Sequence, residues 1–146
     1  MIPLIVACHG RFADELVKSA AMVYGEAESV HAVTFMPREG PDDLLRKYEE
    51  IVAAEGSPEA VLLLVDLFGG SPYNAAARFA AQREDADVVT GVNLPMLIEV
   101  LGRRMLGGTL PELVETARTA GAGGVKVLSE IFTPTTTESD DEGDEL

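Results

Sequence analysis

Val61-Leu62-Leu63-Leu64-Val65-Asp66-Leu67-Phe68-Gly69-Gly70-Ser71-Pro72 decides the fold. A strand with one wet face alternates apolar with polar residues. An unbroken run from Val61 to Val65 that ends abruptly in a carboxylate therefore predicts a parallel strand buried on both faces. The residues from Leu67 to Gly70 predict a turn. Ser71 is then expected as the N-cap, and Pro72 as the first residue, of an Ala-rich helix running to about Gln82. A buried strand feeding directly into a helix is one half of a βαβ unit.

Working outward from this unit gives the same alternation. Upstream, Pro3 to Cys8 is apolar at every position, a second strand of the fully buried kind. Phe12 to Tyr24 places Phe12, Leu16, Ala20 and Val23 at helical spacing, with Gly25 as the stop. Val30 to Phe35 reads as a strand. Pro41-Asp42-Asp43 opens a helix through Leu44, Leu45, Tyr48, Ile51 and Val52, which Gly56-Ser57-Pro58 breaks. Downstream, Asp87 to Gly91 predicts a fourth strand, and Asn93-Leu94-Pro95-Met96 leads into a helix through Leu101. Gly107-Gly108 precedes a last helix, Thr109 to Ala120, capped by Thr109 and ended by Gly121 to Gly124. Val125 to Ile131 alternates like a final strand at a sheet edge, and no internal repeat is visible.

Strands alternating with helices predict an open, doubly wound, three-layer α/β/α sandwich. Right-handed crossovers in a chain this short favour the flavodoxin-like order, 2-1-3-4 in a mostly parallel sheet with the last strand, about 125–131, at an edge. That order sets the first and third strands side by side, and the reactive end of such a sheet is at the carboxyl ends of its strands, at this switch point.

The 146 residues, 47% hydrophobic and 25% charged, suit one globular domain, expected over 1–132. A single cysteine, Cys8, allows no internal disulfide and is expected to pack as a small apolar residue in a reducing compartment. The N-terminus lacks the basic flank of a signal peptide, and no stretch approaches about 18 uninterrupted apolar residues, so a cytoplasmic location is expected. A net charge of −14 argues against nucleic acid or an anionic membrane surface as partner. Six of the acids lie between Glu138 and Leu146, after Thr133-Pro134-Thr135-Thr136-Thr137, and residues 133–146 are expected to be a disordered acidic tail.

His9 follows the first strand directly and Asp66 ends the third. In the expected order they are neighbours at the switch point. A carboxylate that accepts a hydrogen bond from one ring N–H sets the tautomer and leaves the other nitrogen's lone pair free as nucleophile or base. The Gly69-Gly70-Ser71-Pro72 turn adds close-approaching backbone and the N–H groups of a helix N-terminus, which favour an anion. A nucleophilic imidazole, an orienting carboxylate and an anion cradle make a site for phosphoryl transfer through phosphohistidine. Each part alone has a plainer reading: His9 as a capping or satisfied histidine, Asp66 as a loop cap, the glycines as a turn. Their coincidence at one switch point favours the chemical one. His31 has no acidic partner in view and reads as structural. The nucleotide-binding loops G-x-x-x-x-G-K-[ST] and G-x-G-x-x-G are absent, Tyr73 breaks the G-x-S-x-G frame around Ser71, and the histidines and cysteine give no metal-ligand spacing.

Ala7-Cys8-His9-Gly10, Leu64-Val65-Asp66-Leu67-Phe68-Gly69-Gly70-Ser71-Pro72-Tyr73-Asn74 and Gly91-Val92-Asn93-Leu94-Pro95-Met96-Leu97 resemble the IIA component of the mannose-type bacterial sugar phosphotransferase system. The resemblance covers about residues 2 to 130. It implies a phosphotransferase without metal or other cofactor, in which His9 takes phosphate from the phosphocarrier HPr and gives it to a histidine of a IIB component on a separate chain. Asp66 would hold the far ring nitrogen, and Ser71 with the Gly69–Gly70 backbone would bind the phosphoryl oxygens. Gly10, Arg11, Phe68, Asn93, Pro95 and Met96 would dock partners or support the site. It further implies a homodimer that exchanges the final strand, antiparallel at the edge, and contact with the membrane only through IIC and IID components. Leu67-Phe68 departs from the Thr-Trp pair of some relatives, and the acidic tail is not a family feature.

Three rivals remain open on sequence. The phosphotransfer subunit serving dihydroxyacetone kinase would also use His9, but typically carries Met-Gly-Ser-Ala where this chain has Gly69-Gly70-Ser71-Pro72. A receiver-like domain would be phosphorylated on Asp66, yet needs an acidic pair where Cys8-His9 stands. A non-transport regulatory module is the third.

Overall fold

The apolar runs become the centre of a parallel sheet because each of their residues meets a helix. The computed structural model describes residues 1–132. In chain order it forms β1 (Leu4–His9), α1 (Phe12–Tyr24), β2 (Val30–Phe35), α2 (Pro41–Ala54), β3 (Ala60–Val65), α3 (Ser71–Ala81), β4 (Asp85–Thr90), α4 (Leu94–Met105), α5 (Leu110–Gly123) and the short α6 (Leu128–Ile131). The sheet order is β2-β1-β3-β4, all parallel. The expected 2-1-3-4 order is therefore present.

Successive residues of β1 and β3 point to opposite faces, and two cores result. Leu4, Val6, Cys8, Leu62 and Leu64 pack under α1, α4 and α5, through Leu16, Ala20, Leu97, Val100 and Leu113. Ile5, Ala7, Leu63 and Val65 pack under α2 and α3, through Leu44, Tyr48, Ala76 and Phe79. The Tyr48 hydroxyl donates to the Pro72 carbonyl at 3.0 Å, so even the large polar group of the second core is satisfied. Among the described residues, no helix is long and apolar enough to cross a membrane.

Several expectations need correction. The predicted final strand is not formed in the single chain. Among the described residues Val125 to Val127 has no sheet partner, and Leu128–Ile131 is one helical turn, with Val125, Leu128 and Ile131 all exposed. Alternation alone cannot make a strand without an edge to pair with. The glycine run does end α5, but three residues beyond the expected Ala120, at Gly123 with Gly124 as C-cap. Gly121 is buried, and a Cβ there would lie 2.6 Å from the Met96 Cε, so its small size serves α4–α5 packing. Helix α4 also runs beyond Leu101 to Met105, which buries Arg104, and its guanidinium donates to the carbonyls of Ile2, Glu28 and Ser29. The strand expected from Asp87 begins at Asp85 and ends at Thr90. The acidic tail lies outside the described residues.

Candidate functional site

Site geometry follows from the register of β1 against β3. Ala7 pairs with Val65, so the chains leave the sheet side by side, carrying His9 and Asp66. The His9 backbone N–H donates to Asp66 Oδ2 at 2.9 Å, and His9 Nδ1 lies 3.0 Å from the same oxygen. A carboxylate only accepts, so Nδ1 carries the ring proton and Nε2 keeps its lone pair. The His9 side chain is 45% exposed and that of Asp66 14%. Nε2 is thus on an open imidazole whose carboxylate partner is mostly sheltered. The other carboxylate oxygen, Oδ1, is buried with no hydrogen-bond partner among the described residues.

The turn after Asp66 comes up against this ring. Gly69 takes φ +86°, a left-handed conformation that favours glycine. Gly70 is needed for a different reason, since a Cβ there would stand 2.8 Å from His9 Cε1 and 3.2 Å from Nε2. The cap differs from expectation. Gly70, not Ser71, is the N-cap of α3, no side-chain bond closes it, and Ser71 is the first helical residue. The first-turn amides of a helix have no partner within it; in α3, where Pro72 has no N–H, these are the N–H groups of Ser71 and Tyr73, and Gly70 brings this turn against the His9 ring. Open helix amides in a turn packed against an imidazole are able to receive an anion, an arrangement that would suit phosphoryl transfer to histidine.

The other predicted residues divide into two groups. Gly10, at φ +58°, turns the chain straight after His9 and pairs with Phe35 in an isolated bridge. Arg11 is exposed just before α1, 3.9 Å from Asp14. Phe68 is 73% exposed, with its ring centroid 4.8 Å from that of Tyr73, and forms an apolar knob beside the site. Asn93, Pro95 and Met96 instead build the α4–α5 seam. Asn93 Oδ1 accepts from the Met96 N–H while its Nδ2 donates to the Gly121 carbonyl. Met96 is buried, and Pro95 Cγ lies 2.7 Å from where a Gly124 Cβ would be. Asn93 and Met96 also line a cleft along β4 together with Phe68.

Sequence reading missed the partner of His31. Its Nε2 lies 2.5 Å from Glu55 Oε2, at the opposite end of the sheet from His9, and this contact holds the Glu55 carboxyl below its usual range. The signal was out of reach, since Glu55 follows the end of α2, 24 positions away. Phe35 was also passed over, although it meets the His9 ring edge-on. Cys8 is fully buried, and burial, with the Asp66 charge adding to it, pushes its thiol up to about 12. The thiolate is the reactive form. Iodoacetamide at pH 8 should therefore leave native Cys8 unmodified by mass spectrometry and label it fully in denaturant; rapid labelling of the native protein would contradict this packing.

The family model described as PTS system fructose IIA component matches residues 3–118. The chain belongs to this family. The mannose-specific EIIAB component of Escherichia coli (strain K12) is 41% identical over 127 residues, covering 87% of this chain and 39% of that protein. The chain thus spans about two fifths of the length of the EIIAB relatives it matches. The fructose-specific EIIA component of Bacillus subtilis (strain 168) is 44% identical over 104 residues, 71% of each protein. Among solved structures, the phosphotransferase system component EIIA from Streptococcus agalactiae superposes with a TM-score of 0.83 at 26% identity, covering 89% of this chain and 99% of that one. The IIA family and the doubly wound sheet are therefore established together.

Proposed function

We propose that this IIA chain carries a phosphoryl group on Nε2 of His9, taking it from HPr and passing it to a histidine of a IIB component for coupled sugar uptake. The observation that carries the reading is the double acceptance by Asp66 Oδ2, from the His9 backbone N–H and from Nδ1. It supports a nucleophile whose tautomer is set before the donor arrives. In the forward step the Nε2 lone pair attacks phosphorus and the bond from phosphorus to the donor nitrogen breaks. The Nδ1 proton stays where it is, and Asp66 stabilises the positive charge that develops on the ring. The Gly69–Gly70 backbone and Ser71 hold the phosphoryl oxygens. The step runs in reverse toward the IIB acceptor, and no proton need leave the site.

Incubation with phosphoenolpyruvate, enzyme I and HPr should label His9 with an acid-labile, base-stable adduct. Phospho-HPr alone should suffice in excess EDTA, because Asp66 is already engaged and no group of three or more His, Cys, Asp or Glu side chains among the described residues is placed to hold a metal. An adduct mapped to Asp66, or a strict Mg²⁺ requirement at this step, would overturn the proposal in favour of receiver-like chemistry. Relatives named for mannose, fructose and sorbose support sugar transport over service to dihydroxyacetone kinase.

Gly70→Ala tests the cradle. The added methyl would stand 2.8 Å from His9 Cε1, closer than carbon atoms pack, so the imidazole or the turn must shift aside. Misplacement of a reacting atom by about 1 Å can cost about 10²-fold, so single-turnover transfer should fall on the order of tenfold in a protein of unchanged fold. Transfer at the wild-type rate would show that Gly70 is not part of the working geometry.

The working unit in this reading is a homodimer in which the segment from Val125 to Ile131 adds to the neighbour's sheet. Support comes from the open β4 edge, from the cleft beside it lined by Val88, Val89, Tyr73 and Val125, and from the exposure of Leu128, Ile131 and Phe132. An unpaired edge and an unburied apolar segment are complementary liabilities. Light scattering at micromolar concentration should give twice the chain mass; a strict monomer would refute the dimer and leave the His9 chemistry standing.

A further inference from the structure

His9 and Phe35 are register partners at the end of the parallel β1–β2 pair, and alternation puts both on the sheet face that carries Ile5, Ala7 and Val33. Directly beyond this pair the chain reverses. The Gly10 N–H donates to the Phe35 carbonyl at 2.9 Å, and the Phe35 N–H donates to the Gly10 carbonyl at 3.3 Å. A parallel ladder is thus closed by an antiparallel bridge, which the left-handed φ of Gly10 permits. The bridge ties the Phe35 backbone to the residue that follows the imidazole. The half-buried Phe35 ring then stands edge-on to the His9 ring, with centroids 5.7 Å apart and planes at 82°. This is one of the arrangements that aromatic quadrupoles favour.

The ring has two other neighbours, Asp66 at Nδ1 and the Gly70 backbone near Cε1. One hydrogen bond leaves an imidazole able to tilt about it, and the Gly70 contact limits the ring from one direction. Among the described residues, the ring has no second hydrogen bond to stop such a tilt. Phe35 supplies the missing limit.

We infer that Phe35 is a positioning residue for His9: its ring, anchored through the Gly10 bridge, holds the imidazole with Nδ1 on Asp66 and Nε2 directed outward. The inference rests on the reading that His9 carries the phosphoryl group. Phe35 acts through the imidazole and makes no bond to phosphorus.

The test compares wild-type protein, Phe35→Leu and Phe35→Tyr in single-turnover transfer from phospho-HPr. The maximal rate of Phe35→Leu should fall on the order of tenfold or more, with the half-saturating concentration of donor unchanged. Its His9 nitrogen resonances should move from the Nδ1–H tautomer toward a mixture. Phe35→Tyr keeps the ring and should recover rate and tautomer. A purely structural Phe35 would lower the thermal midpoint of Phe35→Leu and leave the tautomer and maximal rate of the folded protein unchanged, which would overturn the inference. Nuclear Overhauser contacts between the Phe35 and His9 rings of the wild-type protein give a readout without any variant. They are expected, and their absence overturns the inference even if Phe35→Leu does not fold. Should wild-type His9 take no phosphate, the function proposed above fails, while the tautomer and ring contacts still decide the role of Phe35.

Discussion

His9→Ala is expected to lose all phosphoryl acceptance, to the background of the assay, while folding normally. The change removes the proposed nucleophile, and neither Cys8 nor His31 can replace it. Cys8 is buried with its thiol pushed up to about 12, and a thiol in that state offers almost no thiolate. His31 stands at the other end of β2, bound to Glu55. Stability should change by no more than about 1 kcal/mol, because the imidazole is 45% exposed and the backbone N–H of residue 9 can still donate to Asp66. Intact-mass or radiolabel detection after exposure to phospho-HPr, with a thermal melt beside it, makes the measurement. Retained labelling in folded His9→Ala would sink the assignment.

Asp66→Asn should cost on the order of 10²–10⁴ in the rate of transfer, the loss typical when a positioned orienting group is removed. The loss has two parts. The amide can present its N–H₂ to the ring, which makes Nδ1 an acceptor and leaves the proton on Nε2, the nitrogen that must attack. It also withdraws the negative charge that stabilises the ring as phosphorus is engaged. The protein should fold, since His9 is half exposed and an amide that turns its N–H₂ to the ring gives up only the hydrogen bond from the His9 backbone N–H, a loss on the order of 1 kcal/mol. Single-turnover kinetics and the His9 nitrogen resonances should change together. Near-normal transfer with an unaltered tautomer in a folded variant would make Asp66 a structural residue.

These expectations rest on two strands whose sequence was legible. Pro3 to Cys8 and Val61 to Val65 had to be buried on both faces, and in the structure residues of both strands fill the two cores. With those strands central, His9 and Asp66 had to come out at the same end of the sheet, and the glycine turn had to follow. The α2 start at Pro41 and the Thr109 cap of α5 were equally local, because caps and first-turn prolines act within a few residues.

What the sequence by itself determined is therefore the layer architecture, the strand order and the pairing of imidazole with carboxylate, since each depends on unbroken apolar runs and on residues at their ends. The tertiary structure alone decided the rest. Which residue caps α3, how closely Gly70 approaches His9, and that Phe35 limits the ring are matters of a few tenths of an ångström between segments far apart in sequence. The partner of His31, the burial of Arg104 and the role of Gly121 beneath Met96 likewise arise only when helices dock. The segment from Val125 to Ile131 marks the boundary most clearly. Its alternation is a property of the chain, but a strand is a property of a pair, and within one chain it closes into a single helical turn instead.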